Sequence, residues 1–212
     1  MSQLRDNLPS IAERIRAIFL AKDGAREKAL PLCRDSVRYS SNAIRAIHRR
    51  QFTKAKELLG SAQNRLKEAD LTISSCSELK NIGFLKDAQK EFAEASITLA
   101  LITGESLPSP DELDIDPAAY LNGMGEAVGE LRRYLLDSIR QGDLSRGEQL
   151  LEAMDDIYDV LLTMDFPDAI TGGLRRTTDI VRSVLEKTRS DLTLAIRQKN
   201  LEDSLGEFRG QA

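Results

Sequence analysis

The sequence predicts an all-α fold, and three observations carry that reading. Charged residues make up 30% of the chain and hydrophobic residues 41%, with no Trp and only 5% aromatics, the balance of long amphipathic helices rather than of packed β-sandwiches. Apolar residues recur at helical spacing over long stretches. No run alternates with period two between turn signals, so nothing argues for strands. At 212 residues the chain suits one large domain better than two, because a core of this size is buried by a single helical body.

The helices follow from punctuation. A first helix is expected from about Gln3 to Ala21, with Ile11, Ile15, Ile18 and Phe19 on one face and Asp23-Gly24 as its breaker. A second runs to about Arg50, with Pro31 early enough to mark a kink or a restart. A third spans roughly Phe52 to Cys76 and a fourth roughly Ile82 to Thr103. Residues 103–116, containing GESLPSPDELDID, combine proline and acid without apolar periodicity and read as one long internal loop. Asp116-Pro117 then supplies an N-cap and a proline at the first helical position, opening a helix to about Gln141. Gly142-Asp143 closes that helix and caps the next, which ends near Met164. After Phe166-Pro167 and Gly172-Gly173, a last long helix covers roughly Leu174 to Leu205, and residues 206–212 are expected to fray. There is no internal repeat and no low-complexity segment.

Composition also excludes whole classes. No apolar run approaches the roughly 20 residues needed to cross a bilayer, and MSQLRDNLPS lacks the charged-then-apolar pattern of a secretory signal, so a soluble cytoplasmic protein with no membrane partner is expected. Cys33 and Cys76 are too few and too far apart for a disulfide framework or a zinc site, and read as buried structural thiols. The net charge of -4 conceals an uneven distribution. Residues 1–70 carry 15 Lys/Arg against 8 Asp/Glu, residues 71–172 carry 7 against 20, and residues 173–212 carry 8 against 6. A basic first third beside an acidic middle suits a polyanion at one place and cations at another, and subunit pairing by opposite charge would give the same pattern.

Two helices carry the candidate chemistry. In the fourth, Ile82, Leu85, Phe92, Leu99 and Ile102 form the apolar stripe, and Asp87, Glu91, Glu94 and Thr98 form a second stripe beside it. In the fifth, Tyr120, Met124, Ala127, Leu131 and Tyr134/Leu135 are apolar, while Glu126, Glu130, Arg133 and Asp137 share a neighbouring face. If the two helices pack side by side, Glu91, Glu94, Glu126 and Glu130 converge into an all-oxygen site of the kind Mg²⁺ or Mn²⁺ prefers. Such a metal lowers the pKa of a bound water and offsets charge building up on a phosphoryl group. On spacing alone, acids one turn apart are more often a solvated face, and convergence depends on the packing.

The second helix presents Arg34, Arg38, Ser41, Arg45, His48 and Arg49 within a narrow angle, beside Cys33, Val37, Ile44 and Ile47. Arginine forks and small hydroxyls at that pitch suit phosphates, and a plain solvated or subunit-pairing surface is the competing reading. His48 is the only histidine, and without a Ser, Cys or Asp motif nearby it reads as a nucleic-acid contact or a surface residue rather than a catalytic base. There is no glycine-rich phosphate loop, nucleophile elbow or zinc signature. Gly172-Gly173-Leu174-Arg175-Arg176 opens the last helix, where free amides and two arginines suit an anion, though a simple turn explains the glycines as well.

Several segments together resemble the translin/Trax family. YLNGMGEAVGELRR, residues 120–133, is similar to the family segment in which Tyr-Leu, a Gly and then Gly-Glu-Leu recur around an acidic position. Arg140-Gln141-Gly142-Asp143 resembles the family's Gly-Asp helix turn. RDSVRYSSNAIRAIHRR, residues 34–50, resembles its Arg-Asp, Ser, Arg and His-Arg helix, and KEFAEA, residues 90–95, the Glu-x-x-Glu helix of the catalytic Trax subunit. The likeness runs from about Arg34 to Leu192.

The resemblance implies a seven-helix translin-like bundle that assembles into a closed, roughly eight-membered homo-oligomeric shell, octamer or hexamer, binding RNA inside. It implies Mg²⁺-dependent endoribonuclease activity, with Mn²⁺ as a substitute, on single-stranded RNA, single-stranded DNA being a further ligand. Carried over residue by residue, the family's catalytic acids match Glu91 and Glu94, then Glu126, with Glu130 as the Glu of Gly-Glu-Leu. The sequence departs from the catalytic subunit at Glu126, where that subunit has the shorter Asp. Plain translin-type subunits lack the full acid set that this chain keeps, so a catalyst able to assemble with itself is expected. Arg34, Arg38, Arg45 and Arg49, with His48, would grip the backbone with little sequence preference and a steep salt dependence. A non-catalytic nucleic-acid-binding shell and a helical scaffold that binds only protein are the rival readings.

Overall fold

The computed structural model describes residues 2–74, 76, 78–79 and 82–210, with side chains described over 7–74, 76, 78–79 and 82–207. Among them the chain is helical without a strand, in the order α1 (Ser2–His48), α2 (Phe52–Ile73), α3 (Gly83–Thr103), α4 (Pro110–Leu113), α5 (Pro117–Arg140), α6 (Gly147–Thr163), α7 (Asp168–Thr171) and α8 (Leu174–Gly210). No helix among the described residues is long and apolar enough to cross a membrane.

The first two expected helices are one. Asp23-Gly24 does not break α1, and Pro9 and Pro31 both lie inside it. Gly24 keeps negative φ, so it costs only about 1 kcal/mol against alanine in a helix already propagating on both sides. The first half of α1 stands clear of the core: Ile11, Ile15, Ile18 and Phe19 share a face as expected, yet all are exposed. From Ala25 onward α1 turns small residues inward, Ala29, Cys33, Ser36, Ser40 and Ala43. This lets α2 and α3 pack closely on it.

The expected long loop holds the single turn of α4, closed by a capping box: Ser109 accepts from the Glu112 amide, and Glu112 accepts from the Ser109 amide at 2.7 Å. Asp116 caps α5 as expected, accepting from the Ala118 and Ala119 amides at 2.9 and 3.2 Å. Asp143 does not cap α6. Its carboxylate accepts from the Ser145 amide and hydroxyl in the preceding turn, and α6 starts later, at Gly147. The last helix continues through Gly210 rather than ending at Leu205, while Gln211 and Ala212 lie outside the described residues.

One contiguous apolar cluster runs from Ala29 to Leu192 and takes in residues of α1, α2, α3, α5, α6 and α8. Within it α5 is central, packing on α3, α6, α7 and α8. Arg146 fastens α6 to the end of α3 by donating to the carbonyls of Ile102 and Leu101. Cys33 and Cys76 are both buried as expected, and burial pushes the Cys33 thiol up to about 11.

Candidate metal centre

The contact of α3 with α5 rests on a missing side chain. A Cβ at Gly123 would lie 2.6 Å from the Lys90 carbonyl oxygen, 2.7 Å from Ala93 Cβ and 2.9 Å from the Glu94 amide nitrogen. Backbone therefore meets backbone at this crossing, which only glycine permits. On the far side of α5, a Cβ at Gly125 would run into Thr177 of α8. Buried Asn122 pins the same region, donating to the carbonyls of Ala118 and Thr171 and accepting from the Thr177 hydroxyl at 2.7 Å. The turn that follows is thereby fixed, and it delivers Glu126 opposite Glu91 and Glu94.

Those three glutamates each offer an oxygen, and the oxygens lie within 4.8 Å of one another. All three are half-buried, with Phe92, Ala93 and Ala127 closed off behind them. Burial, then the charges of Glu126, Glu91 and Glu130, push the Glu94 carboxyl up to about 8 against the opposing pull of Lys90. Glu91 is raised in the same way, by burial first and then by Glu126 and Asp87. Lys90 donates to Glu126 at 2.7 Å. Burial alone would lower the Lys90 ammonium, but the hydrogen bond and charge of Glu126, with Glu91 and Asp87, leave it raised.

Glu130 lies one turn beyond and is not a member of that triad. Its Oε2 is 2.5 Å from His48 Nε2 and 3.6 Å from Arg133. The His48 hydrogen bond holds the Glu130 carboxyl below its ordinary value against the effect of burial, and Arg133 adds to it. The expected basic face behaves differently. Arg34, Arg38 and Arg45 are exposed on α1 and Arg49 just past its end, Arg38 beside Asp35 and over the Tyr39 ring, Arg45 on Asn42. Arg45 and Arg49 border a shallow groove of about 340 Å³ with Gln51 and Lys54. His48 leaves this face: its side chain is only 6% exposed, so it holds an acid rather than presenting itself to a nucleic acid.

Three carboxylates from two helices, with Glu94 raised by burial and then by its neighbours' charge, form a donor set that fits a divalent cation with all-oxygen preference. Beside it opens a cleft of about 660 Å³ whose walls include Lys86, Asp87, Lys90, Glu126 and Arg176. Gly172 and Gly173, at φ 64° and 85°, turn the chain along its edge into α8. Of the triad, Glu126 lines this cleft.

No family model matches the chain. An uncharacterized protein of Methanocaldococcus jannaschii is 31% identical over 186 residues, 87% of this chain and 82% of that protein. Among solved structures, AfC3PO in complex with duplex RNA matches at a TM-score of 0.79 and 34% identity, covering 88% of this chain and 97% of that one. AfC3PO alone gives 0.78 and 33% over the same shares. The chain belongs to the translin/Trax family. The fold extends further still, since apo-NeC3PO matches at a TM-score of 0.77 and only 17% identity, over 87% of this chain and 96% of that one. For a translin/Trax chain, the Tyr-Leu, Gly and Gly-Glu-Leu signature at residues 120–133 now has a physical content: its first glycine seats α5 on α3, and its acids follow at one-turn intervals.

Two residues at this acid cluster escaped the sequence reading. Lys90 stands one turn before Glu94 and next to Glu91, so its place on the acid stripe was visible. Its pairing with Glu126 on another helix was not. Gly123 looked like part of a motif, and only the packing shows it as the contact point.

Proposed function

We propose that this protein is a metal-dependent endoribonuclease that binds and cleaves single-stranded RNA within a homo-oligomeric shell. The observation that carries the reading is the half-buried triad of Glu91, Glu94 and Glu126, where burial first and then mutual repulsion keep the Glu94 carboxyl up at about 8 beside an open cleft. The 34% identical AfC3PO, solved with duplex RNA, supports RNA as the ligand class. Glu91, Glu94 and Glu126 would hold Mg²⁺ or Mn²⁺, with Glu130 beside them. A divalent cation there supplies Lewis acidity for a phosphodiester and eases deprotonation of water.

The chain's own residues do the rest. Lys90 offsets Glu126 and meets the phosphate at the mouth of the cleft, where Lys86 and Arg176 add positive charge. Arg34, Arg38, Arg45 and Arg49 hold the backbone along α1 without reading bases. The exposed apolar face of Ile11, Ile15, Ile18 and Phe19 pairs with another copy of the chain, as burial of such a stripe requires. One observation favours the rival reading of a non-catalytic RNA- or DNA-binding oligomer: Lys90 already neutralises part of the acid cluster without an ion.

The deciding experiment incubates labelled single-stranded and duplex RNA with the protein in Mg²⁺, Mn²⁺ or EDTA, alongside Glu126→Ala. Metal-dependent cleavage that falls about 100-fold or more in the variant is expected. RNA binding that survives EDTA with no cleavage in either metal would leave only the binding shell, and undiminished cleavage by Glu126→Ala would remove the site.

A further inference from the structure

We propose that His48 is a positioning residue for the metal centre: it clamps one oxygen of Glu130 so that the other is held for the cation bound by Glu91, Glu94 and Glu126. The inference rests on the nuclease reading above and assigns a role that the acid motif does not contain.

His48 ends α1, one residue before the exposed Arg49, yet its ring turns inward to a side-chain exposure of 6%. Burying an imidazole costs free energy unless its nitrogens are satisfied. Here Nδ1 is buried without a hydrogen-bond partner, so the contact of Nε2 with Glu130 Oε2, at 2.5 Å, is the interaction that accounts for the ring's position. Arg133 approaches the same oxygen, at 3.6 Å. Both contacts fall on Oε2, and Glu130 stands near enough to Glu94 to help raise its carboxyl. A carboxylate fixed through one oxygen by a stiff ring loses rotamer freedom and presents its second oxygen in one direction. That is how an outer partner orients a ligand. The ring also ties α1, whose arginines face outward, directly to the acid helix α5.

The test measures Mn²⁺ affinity by electron paramagnetic resonance, and kcat and KM on single-stranded RNA, for wild type, His48→Ala, His48→Phe and His48→Gln. Alanine and phenylalanine should weaken Mn²⁺ binding about 10- to 100-fold and lower kcat with little change in KM. Glutamine, whose amide can still donate to Glu130, should restore most of the loss. Against a Glu130→Ala background, His48→Ala should cost nothing further, because His48 acts only through that acid. Should the alanine variant lose its cooperative unfolding transition, phenylalanine and glutamine decide, since both fill the site and only one donates. Wild-type affinity in His48→Phe, or an undiminished loss in the Glu130→Ala background, would overturn the role. A wild type that binds Mn²⁺ without cutting RNA sinks the nuclease reading while the affinity series still decides His48; a wild type that binds no Mn²⁺ sinks both.

Discussion

Replacing Glu94 with glutamine should stabilise the cation-free protein near neutral pH and flatten its pH dependence. The folded carboxyl sits at about 8 and its ordinary value is 4.5. Below 4.5 folded and unfolded chains both hold the proton, and this group makes no difference. Between 4.5 and 8 the unfolded chain has released a proton that the folded chain retains, so each pH unit costs the fold about 1.4 kcal/mol. Above 8 both forms are ionised and the loss levels off. From pH 5 to pH 7 the whole shift would remove about 2.5 kcal/mol. Partial exposure of Glu94 screens the charges, which brings the expectation to about 1–2 kcal/mol. Urea unfolding in EDTA at fixed protein concentration, at both pH values, measures it as the wild-type slope minus the Glu94→Gln slope. Titrating groups that do not interact with Glu94 cancel in that difference. Parallel slopes for the two proteins would refute the buried-repulsion account of the triad.

Gly123→Ala should destabilise the fold by about 1–3 kcal/mol, since its Cβ meets backbone atoms of Lys90 and Glu94 that cannot swing away; thermal melting reads this directly. Asn122→Ala should cost about 1–3 kcal/mol by the same measurement, because the buried Thr171 carbonyl, the Ala118 carbonyl and the Thr177 hydroxyl lose their partner. Arg45→Ala combined with Arg49→Ala should weaken RNA binding and reduce the slope of log K against log salt by about 1.4, the counterion release of two single-strand phosphate contacts. An unchanged slope in fluorescence anisotropy titrations would take these two arginines out of the RNA path.

Much of the fold was legible because its signals are local. The Asp116-Pro117 start of α5, the Gly172-Gly173 turn and the apolar stripe of α3 each depend on residues a few positions apart. Failures came where a local signal was outweighed or unused. Asp23-Gly24 carries turn residues, yet a lone glycine costs a long helix too little to break it. Ser109-Pro110-Asp111-Glu112 is a capping-box pattern inside a stretch dominated by proline and acid, and α4 there is a single turn. From residue spacing alone the site was legible as two acid stripes, and the family resemblance singled out which acids to expect together. Whether such stripes are solvated faces is decided by what stands behind and opposite them, and that is set by Gly123 against Ala93, residues with no chemistry of their own. His48 shows the same limit: its helical angle puts it among the arginines, and only a partner 82 positions away in sequence draws it inward.

Charge balance within the triad ties these observations together. Three half-buried carboxylates face one ammonium, that of Lys90. Full ionisation of all three without a cation would leave excess negative charge half-buried, which is why Glu94 keeps a proton into the neutral range. A divalent cation bound there would supply the missing positive charge and make that proton unnecessary, so cation binding and proton release would become one linked event. The same linkage requires cation affinity to rise with pH up to about 8, where Glu94 already gives up its proton, and to level off above it. A site that merely paired acids with neighbouring helices would have no reason to follow that curve.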